Sequence, residues 1–139
     1  MRVTSYPTVP IANPDTQPFW DGCQRNELLL QRCGNCGHYR HPPSPVCSRC
    51  TSQACEWVAA SGSGAVYTFT VVHDQRAPGW EELVPYVLAV IELDEGPHIL
   101  SNVVDVDPKL VKIGMNVEVT FKAIGEQKAP FFRPRGSAR

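Results

Sequence analysis

A mainly β chain, with a small metal-held ribbon ahead of a five-stranded barrel, is predicted by three observations. Two C-x-x-C pairs stand ten residues apart, short β-branched segments follow them, and 13 Pro and 10 Gly punctuate 139 residues. That much Pro and Gly argues against a helical bundle and for short strands between turns. With 42% hydrophobic and 19% charged residues the chain is a folding chain rather than a disordered one. Its length suits one compact domain or a small domain with an appendage.

The cysteines fall at 23, 33, 36, 47, 50 and 55. Cys33/Cys36 and Cys47/Cys50 each form a C-x-x-C loop, which aims two thiolates at one cation. Gly37, after the first pair, permits the positive φ that such a turn needs. Two facing loops complete a tetrahedral four-sulfur site, and zinc favours that geometry, with iron accepted by the same cage. Two disulfides would need an oxidising compartment, and a redox C-x-x-C needs one pair in a different context. The expectation is one structural zinc per chain, because four thiolates leave no position open for substrate or water. Cys23 and Cys55 lie outside the pattern and read as ordinary buried or partly buried thiols. Zinc on four thiolates moves the formal charge from −1 to about −3, away from a polyanion binder.

The elements follow in order. Met1 to Pro14 reads as an extended arm. Asp15 is the expected cap of a short helix through Asn26, with Pro18 in its first turn and Phe19, Trp20 and Cys23 near one face. Glu27–Arg32 reads as a strand entering the first knuckle, and His41-Pro42-Pro43-Ser44-Pro45 as a stiff connector to the second. Strands are then expected at 56–60, 65–73, 86–93, 98–105 and 117–123, with a helical turn opening at Asp107-Pro108 before the last. Ser61-Gly62-Ser63-Gly64 reads as a barrel corner, since it lacks the lysine and helix of a phosphate loop. Asp94-Glu95-Gly96-Pro97 reads as a solvated turn rather than a carboxylate pair. Five strands with one helical turn before the last outline an OB barrel. The expected organisation is arm and helix over 1–26, ribbon over 27–51, barrel over 52–129 and a tail over 130–139.

With these motifs on the page, the chain resembles the zinc-ribbon plus OB-fold proteins called domain of unknown function family thirty-five. The matching stretches are Phe19-Trp20, the lead-in Glu27 to Cys33, and His41-Pro42-Pro43 before Cys47. They continue through Ser61 to Thr70, Pro85-Tyr86-Val87, Ile91 to Pro97 and Ile113 to Val117, and close on Pro130-Phe131-Phe132-Arg133-Pro134. The resemblance implies a rubredoxin-like zinc ribbon beside the OB barrel and an accessory, non-catalytic role. The implied partner is a thiolase-like subunit acting on acyl-CoA thioesters: an acetyltransferase, a hydroxymethylglutaryl-CoA synthase or an aldolase that shortens steroid side chains, the last favoured. Its OB part is implied to help form the CoA or acyl pocket. Some relatives lack the cysteines; all four are present here, so a filled metal site is expected.

No independent active site is visible. His38 and His41 flank the ribbon as surface or metal-supporting groups, and His73 and His98 stand at strand ends. Phosphates of CoA want Arg or Lys and its adenine wants flat apolar surface, which Arg76 with Trp80 and Phe132 with Arg133 offer. The same residues with Phe19 and Trp20 suit a protein interface, and partner docking is the leading expectation for them. The competing reading is a single-stranded nucleic-acid binder, with Tyr67 and Phe69 sharing one strand face. The negative charge and the missing basic stripe argue against it. No apolar run is long enough to span a membrane, and no apolar signal core opens the chain, so a cytoplasmic location is expected.

Overall fold

The computed structural model describes residues 9–74 and 82–136. Helix α1 spans Gln17–Gln24, with Pro18 in its first turn. Its start is fixed by Asn13 and Thr16, not Asp15. The Thr16 amide donates to Asn13 Oδ1 and the Asn13 amide to Thr16 Oγ1, each at 3.0 Å. The end is a Schellman turn. Asn26 takes φ 61°, the Asn26 amide donates to the Cys23 carbonyl, and the Glu27 amide reaches back to that of Gly22.

Two sheets follow. Strands β1 (Leu29–Cys33), β2 (Tyr39–Arg40) and β3 (Cys55–Ala59) form an antiparallel ribbon in the order β2-β1-β3. Strands β4 (Ser63–Val72), β5 (Tyr86–Leu93), β6 (His98–Val103), β7 (Asn116–Ile124) and β8 (Gln127–Pro134) close a barrel in the order β4-β5-β6-β8-β7. A 3-10 turn at Pro108–Leu110 precedes β7, capped by the Asp107 carboxylate on the Lys109 amide. That strand order, with the helical turn ahead of the last hairpin, is an OB barrel.

Five barrel strands are expected and five are found, but the membership differs at both ends. Residues 56–60 leave the barrel, because β3 pairs with β1 along its whole length, from Leu29↔Ala59 to Cys33↔Cys55. The three-stranded ribbon therefore runs on past residue 51. The fifth barrel strand comes from the segment expected as a tail. β8 pairs with β7 from Val117↔Pro134 to Ile124↔Gln127 but shares a single ladder pair with β6, Val103↔Phe132, in parallel. A strand with one largely unpaired edge tolerates Pro130 and Pro134. The corner at Ser61–Gly64 is as expected: Gly62 takes φ 85° and accepts the Val119 amide. At the 94–97 turn the Glu95 carboxylate takes the Ser61 amide at 2.8 Å.

One core serves both sheets. Phe19, Cys23, Leu28 and Leu30 from the helix and ribbon join Val66, Ile91, Val117 and Phe132 from the barrel. The helix is tied to the β7–β8 hairpin as well. Gln24 Oε1 accepts the Lys128 amide at 2.7 Å, and Gln127 Nε2 donates to the Trp20 carbonyl at 3.2 Å.

Candidate metal centre and adjoining groove

The metal centre grows out of two matching knuckles. Cys33 ends β1, and its amide donates to the His38 carbonyl while its carbonyl accepts the Gly37 amide. Cys47 repeats the pattern with Ser52 and Thr51. Gly37 turns the first knuckle at φ 77° and Thr51 turns the second at φ 63°, without the glycine. Inside each loop the amides converge on sulfur. Those of Asn35 and Cys36 reach Cys33 Sγ and that of Arg49 reaches Cys47 Sγ, all at 3.4 Å.

Facing each other, the knuckles bring four Sγ atoms within 4.8 Å of one another. Cys33 and Cys50 stand 3.5 Å apart and Cys36 and Cys47 3.7 Å. A tetrahedral ion with metal–sulfur bonds of about 2.3 Å needs sulfurs about 3.8 Å apart, so the cage fits such an ion. The acid–base balance also asks for a cation. The amides of Cys36 and Asn35 hold the Cys33 thiol down to about 6, and those of Cys50 and Arg49 lower Cys47. At Cys36 the His38 amide lowers the pKa, yet desolvation and the three neighbouring sulfurs outweigh it and leave the thiol at about 11. Four thiolates in so small a volume are stable together only around a positive ion.

Supporting groups that sequence reasoning did not single out complete the centre. Asn35 Nδ2 donates to Cys50 Sγ at 3.5 Å, tying one knuckle to the other. The connector between the knuckles is held by buried polar residues. Gln31 Oε1 accepts the Ser44 amide at 2.8 Å, and Arg40 Nη2 donates to the Ser44 carbonyl at 2.8 Å. His38 acts through its backbone rather than its ring. Cys23 is fully buried, with its thiol pushed up to about 12 by desolvation, so it is core and no ligand. Cys55 is exposed, not buried or partly buried as expected.

Beside the ribbon, α1, the connector and the barrel strands β6 and β8 enclose a groove of about 390 Å³. Phe19, Trp20, His41, Pro42, Leu100 and Phe131 are among its lining residues. The Phe19 ring lies 5.1 Å from that of Trp20, edge to face, and 5.3 Å from that of His41. Burial holds His41 at about 4, so the groove is neutral at physiological pH.

The expected contact residues separate in space. Phe19 and Trp20 do line the groove. Phe132 is completely buried in the barrel core and presents nothing to a ligand, while Arg133 points outward to an ion pair with Glu118 at 2.9 Å. Arg76 and Trp80 lie outside the described residues. Tyr67 and Phe69 do not share a face. A bulge between Val66 and Thr68 shifts the register, leaving Tyr67 54% exposed while Phe69 packs on the core. The stacking platform expected of a nucleic-acid binder is therefore absent at this pair. His98 is exposed at the surface, its ring tilted against that of Tyr67 at 4.4 Å and within 3.3 Å of the Glu92 carboxylate.

Two adjacent family models together match residues 20–122. Residues 20–56 match the rubredoxin-like zinc ribbon domain of ChsH2, and residues 57–122 match its C-terminal OB-fold domain. The chain belongs to the ChsH2 zinc-ribbon and OB-fold family. This ChsH2-type chain is also 43% identical over 105 residues to a DUF35 domain-containing scaffold protein of Methanocaldococcus jannaschii, covering 74% of this chain and 73% of that one. The resemblance to domain of unknown function family thirty-five is thereby confirmed. Over 112 residues it is 40% identical to the 3-oxo-4,17-pregnadiene-20-carboxyl-CoA hydratase alpha subunit of Mycobacterium tuberculosis, covering 81% of this chain and 35% of that protein. The chain thus spans about a third of the length of that curated relative. Among solved structures it superposes on a chain of the Ltp2-ChsH2(DUF35) aldolase with a TM-score of 0.82 at 35% identity, covering 91% of this chain and 98% of that one. Among the described residues no helix is long and apolar enough to cross a membrane.

The neutral His41 carries a pH prediction. Its pKa is depressed in the fold from 6.5 to about 4, so its stabilising contribution is complete above pH 6.5 and drains away as pH falls towards 4. The full loss is about 2–3 kcal/mol after allowance for partial exposure. Thermal midpoints measured from pH 7 to pH 4.5 should fall more steeply for the native chain than for His41→Phe. Parallel curves for the two would show that His41 does not titrate with folding.

Proposed function

We propose that this chain is a non-catalytic subunit that docks on a thiolase-like enzyme and helps shape its CoA-thioester site, with one structural zinc per chain. A partner that cleaves a carbon–carbon bond in a steroid-type side chain is favoured over a ketothiolase or synthase. The observation that carries this reading is the superposition, over nearly the whole of both chains, on the ChsH2(DUF35) component of an aldolase. The kinship to the hydratase alpha subunit adds acyl-CoA chemistry on a steroid skeleton.

The architecture suits a subunit that positions rather than reacts. A cage of four thiolates has no coordination site to offer a substrate, so its metal holds the ribbon in shape. The groove is of a size to take part of an acyl chain or a partner's side chains, and its aromatic and proline lining is apolar. His41, neutral and packed under Phe19, makes the groove a receptor for uncharged groups. Arg133, committed to Glu118 and outside the groove, is a weaker candidate for CoA phosphate than it looks from its position in the Phe-Phe-Arg motif.

The test is reconstitution. The tagged chain is co-expressed with the thiolase-fold proteins of its own host, and each pair is analysed by size-exclusion chromatography and by turnover of a β-hydroxyacyl-CoA. A stable complex with one of them, and cleavage that needs both chains, is the expected result. A chain that stays apart from all of them and changes none of their rates would overturn the proposal.

A further inference from the structure

β1 and β3 set Cys33 directly opposite Cys55. The Gly34 amide donates to the Ala54 carbonyl at 2.9 Å, which makes Cys33/Cys55 a non-hydrogen-bonded pair of the ladder. At such a position the two Cα atoms stand about 4.5 Å apart and both side chains leave the same face of the sheet. That separation lies within the range of about 4.4–6.8 Å that a disulfide spans. The two thiols differ in every other respect. Cys33 is 2% exposed and belongs to the four-sulfur cage, whereas Cys55 is exposed and outside it. The Cys55 Sγ lies 3.7 Å from the Glu56 carbonyl oxygen, a contact that a single rotamer change gives up. Cys23, the other thiol outside the cage, is fully buried and far less open to an oxidant.

We infer that Cys55 is a redox modification site, through which oxidation by a peroxide is converted into a Cys33–Cys55 disulfide and release of the metal. In the first step the Cys55 sulfur attacks one oxygen of hydrogen peroxide. The O–O bond breaks, Cys55 becomes a sulfenic acid, and the leaving hydroxide takes the thiol proton to become water. In the second step the Cys33 thiolate attacks the Cys55 sulfur. The S–S bond forms, and the displaced hydroxide takes a proton from solvent as a second water. Two electrons leave the cysteine pair and reduce one peroxide. The metal, left with three ligands, is given up to any competing chelator. Reduction of the disulfide returns Cys33 to the cage, so the exposed thiol acts as a reversible trigger for the ribbon.

The experiment uses the zinc-loaded full chain, hydrogen peroxide and a colorimetric zinc chelator. The native chain should release zinc together with the mass of two hydrogens, and peptide mapping should join the peptide of Cys33 to that of Cys55. Cys50 and Cys55 share a tryptic peptide, and Cys33 and Cys36 share another, since no Lys or Arg separates either pair, so fragmentation within both peptides fixes which cysteines are bridged. Cys55→Ser should bind zinc as the native chain does and release it at least about five-fold more slowly under peroxide. Release at the native rate from Cys55→Ser, or a native-chain disulfide confined to Cys33, Cys36, Cys47 and Cys50, would overturn the inference. The mapping on the native chain stands even if the variant folds poorly.

Discussion

Cys47→Ser is expected to leave purification with almost no zinc and with its ribbon unfolded, while the barrel survives. The ribbon cannot hold itself together by other means. β2 is two residues long, and residues 41–54 contain no strand. Structural zinc contributes about 10–16 kcal/mol in small zinc-dependent folds, more than any packing this segment can supply. The barrel has its own closed ladder and supplies most of the buried residues of the shared core, so it should persist. It should not be untouched, because Phe19, Cys23, Leu28 and Leu30 belong to the shared core and lose their support when β1 loosens. Hydrogen exchange with metal analysis reads both halves at once. Amides of 33–51 should lose protection, those of β5, β7 and β8 should keep it, and chelation of the native chain should give the same pattern, reversed by added zinc. Protected ribbon amides in a zinc-free chain would show that packing, and not metal, fixes the knuckles.

That the metal centre could be read in advance and the sheet memberships could not has a physical basis. Two C-x-x-C loops are local objects: the thiols, the turn residue and the amides that point at sulfur all lie within a few positions of each other. Barrel strands were placed correctly where alternation or β-branching marks them, and β5 matches its expected bounds at both ends. Which strand pairs with which is a long-range matter. Glu56–Ala60 looks the same whether it joins β1 or β4, and only the ladder from Leu29↔Ala59 decides it. Pro130 and Pro134 hid β8, since two prolines usually argue against a strand unless one edge is open. The bulge at Tyr67 is equally silent in sequence, yet it decides that Phe69 turns inward. Gln31, Arg40 and Ser44 form a partly buried polar network, although Gln31 reads alone as strand, Ser44 as connector, and Arg40 belongs to neither. Phe19 and Trp20, expected as partner or ligand contacts, line the groove, because an aromatic pair on a short helix has to pack on something. The groove itself needed the helix, connector and barrel to meet.

Phe132→Ala should cost the barrel about 3–5 kcal/mol, and its neighbour Arg133→Ala under about 1 kcal/mol. Successive strand residues face opposite ways, and here the alternation separates a core residue from a surface ion pair. Phe132 is completely buried at the single ladder pair between β6 and β8, opposite Val103 on one side and Val119 on the other. Its carbonyl also accepts the Val104 amide at 2.7 Å, so the ring and the backbone bond close the barrel at the same place. Removing the ring leaves a cavity under the weakest seam of the ladder, where the other strand pairs run for several residues and this one for a single residue. The surrounding side chains can collapse into it only by opening that seam. Arg133 gives up a partly exposed pair with Glu118, whose attraction water already screens. Thermal unfolding of the two variants should therefore differ by on the order of 10–20 °C in midpoint, with Arg133→Ala close to the native chain. Equal midpoints for the two would mean that β8 is not an integral barrel strand, and the closing motif would revert to an appendage available for contact. The predicted gap instead assigns Phe132 to the frame, leaves Arg133 at the surface, and concentrates the search for ligand and partner on the groove under Phe19 and Trp20.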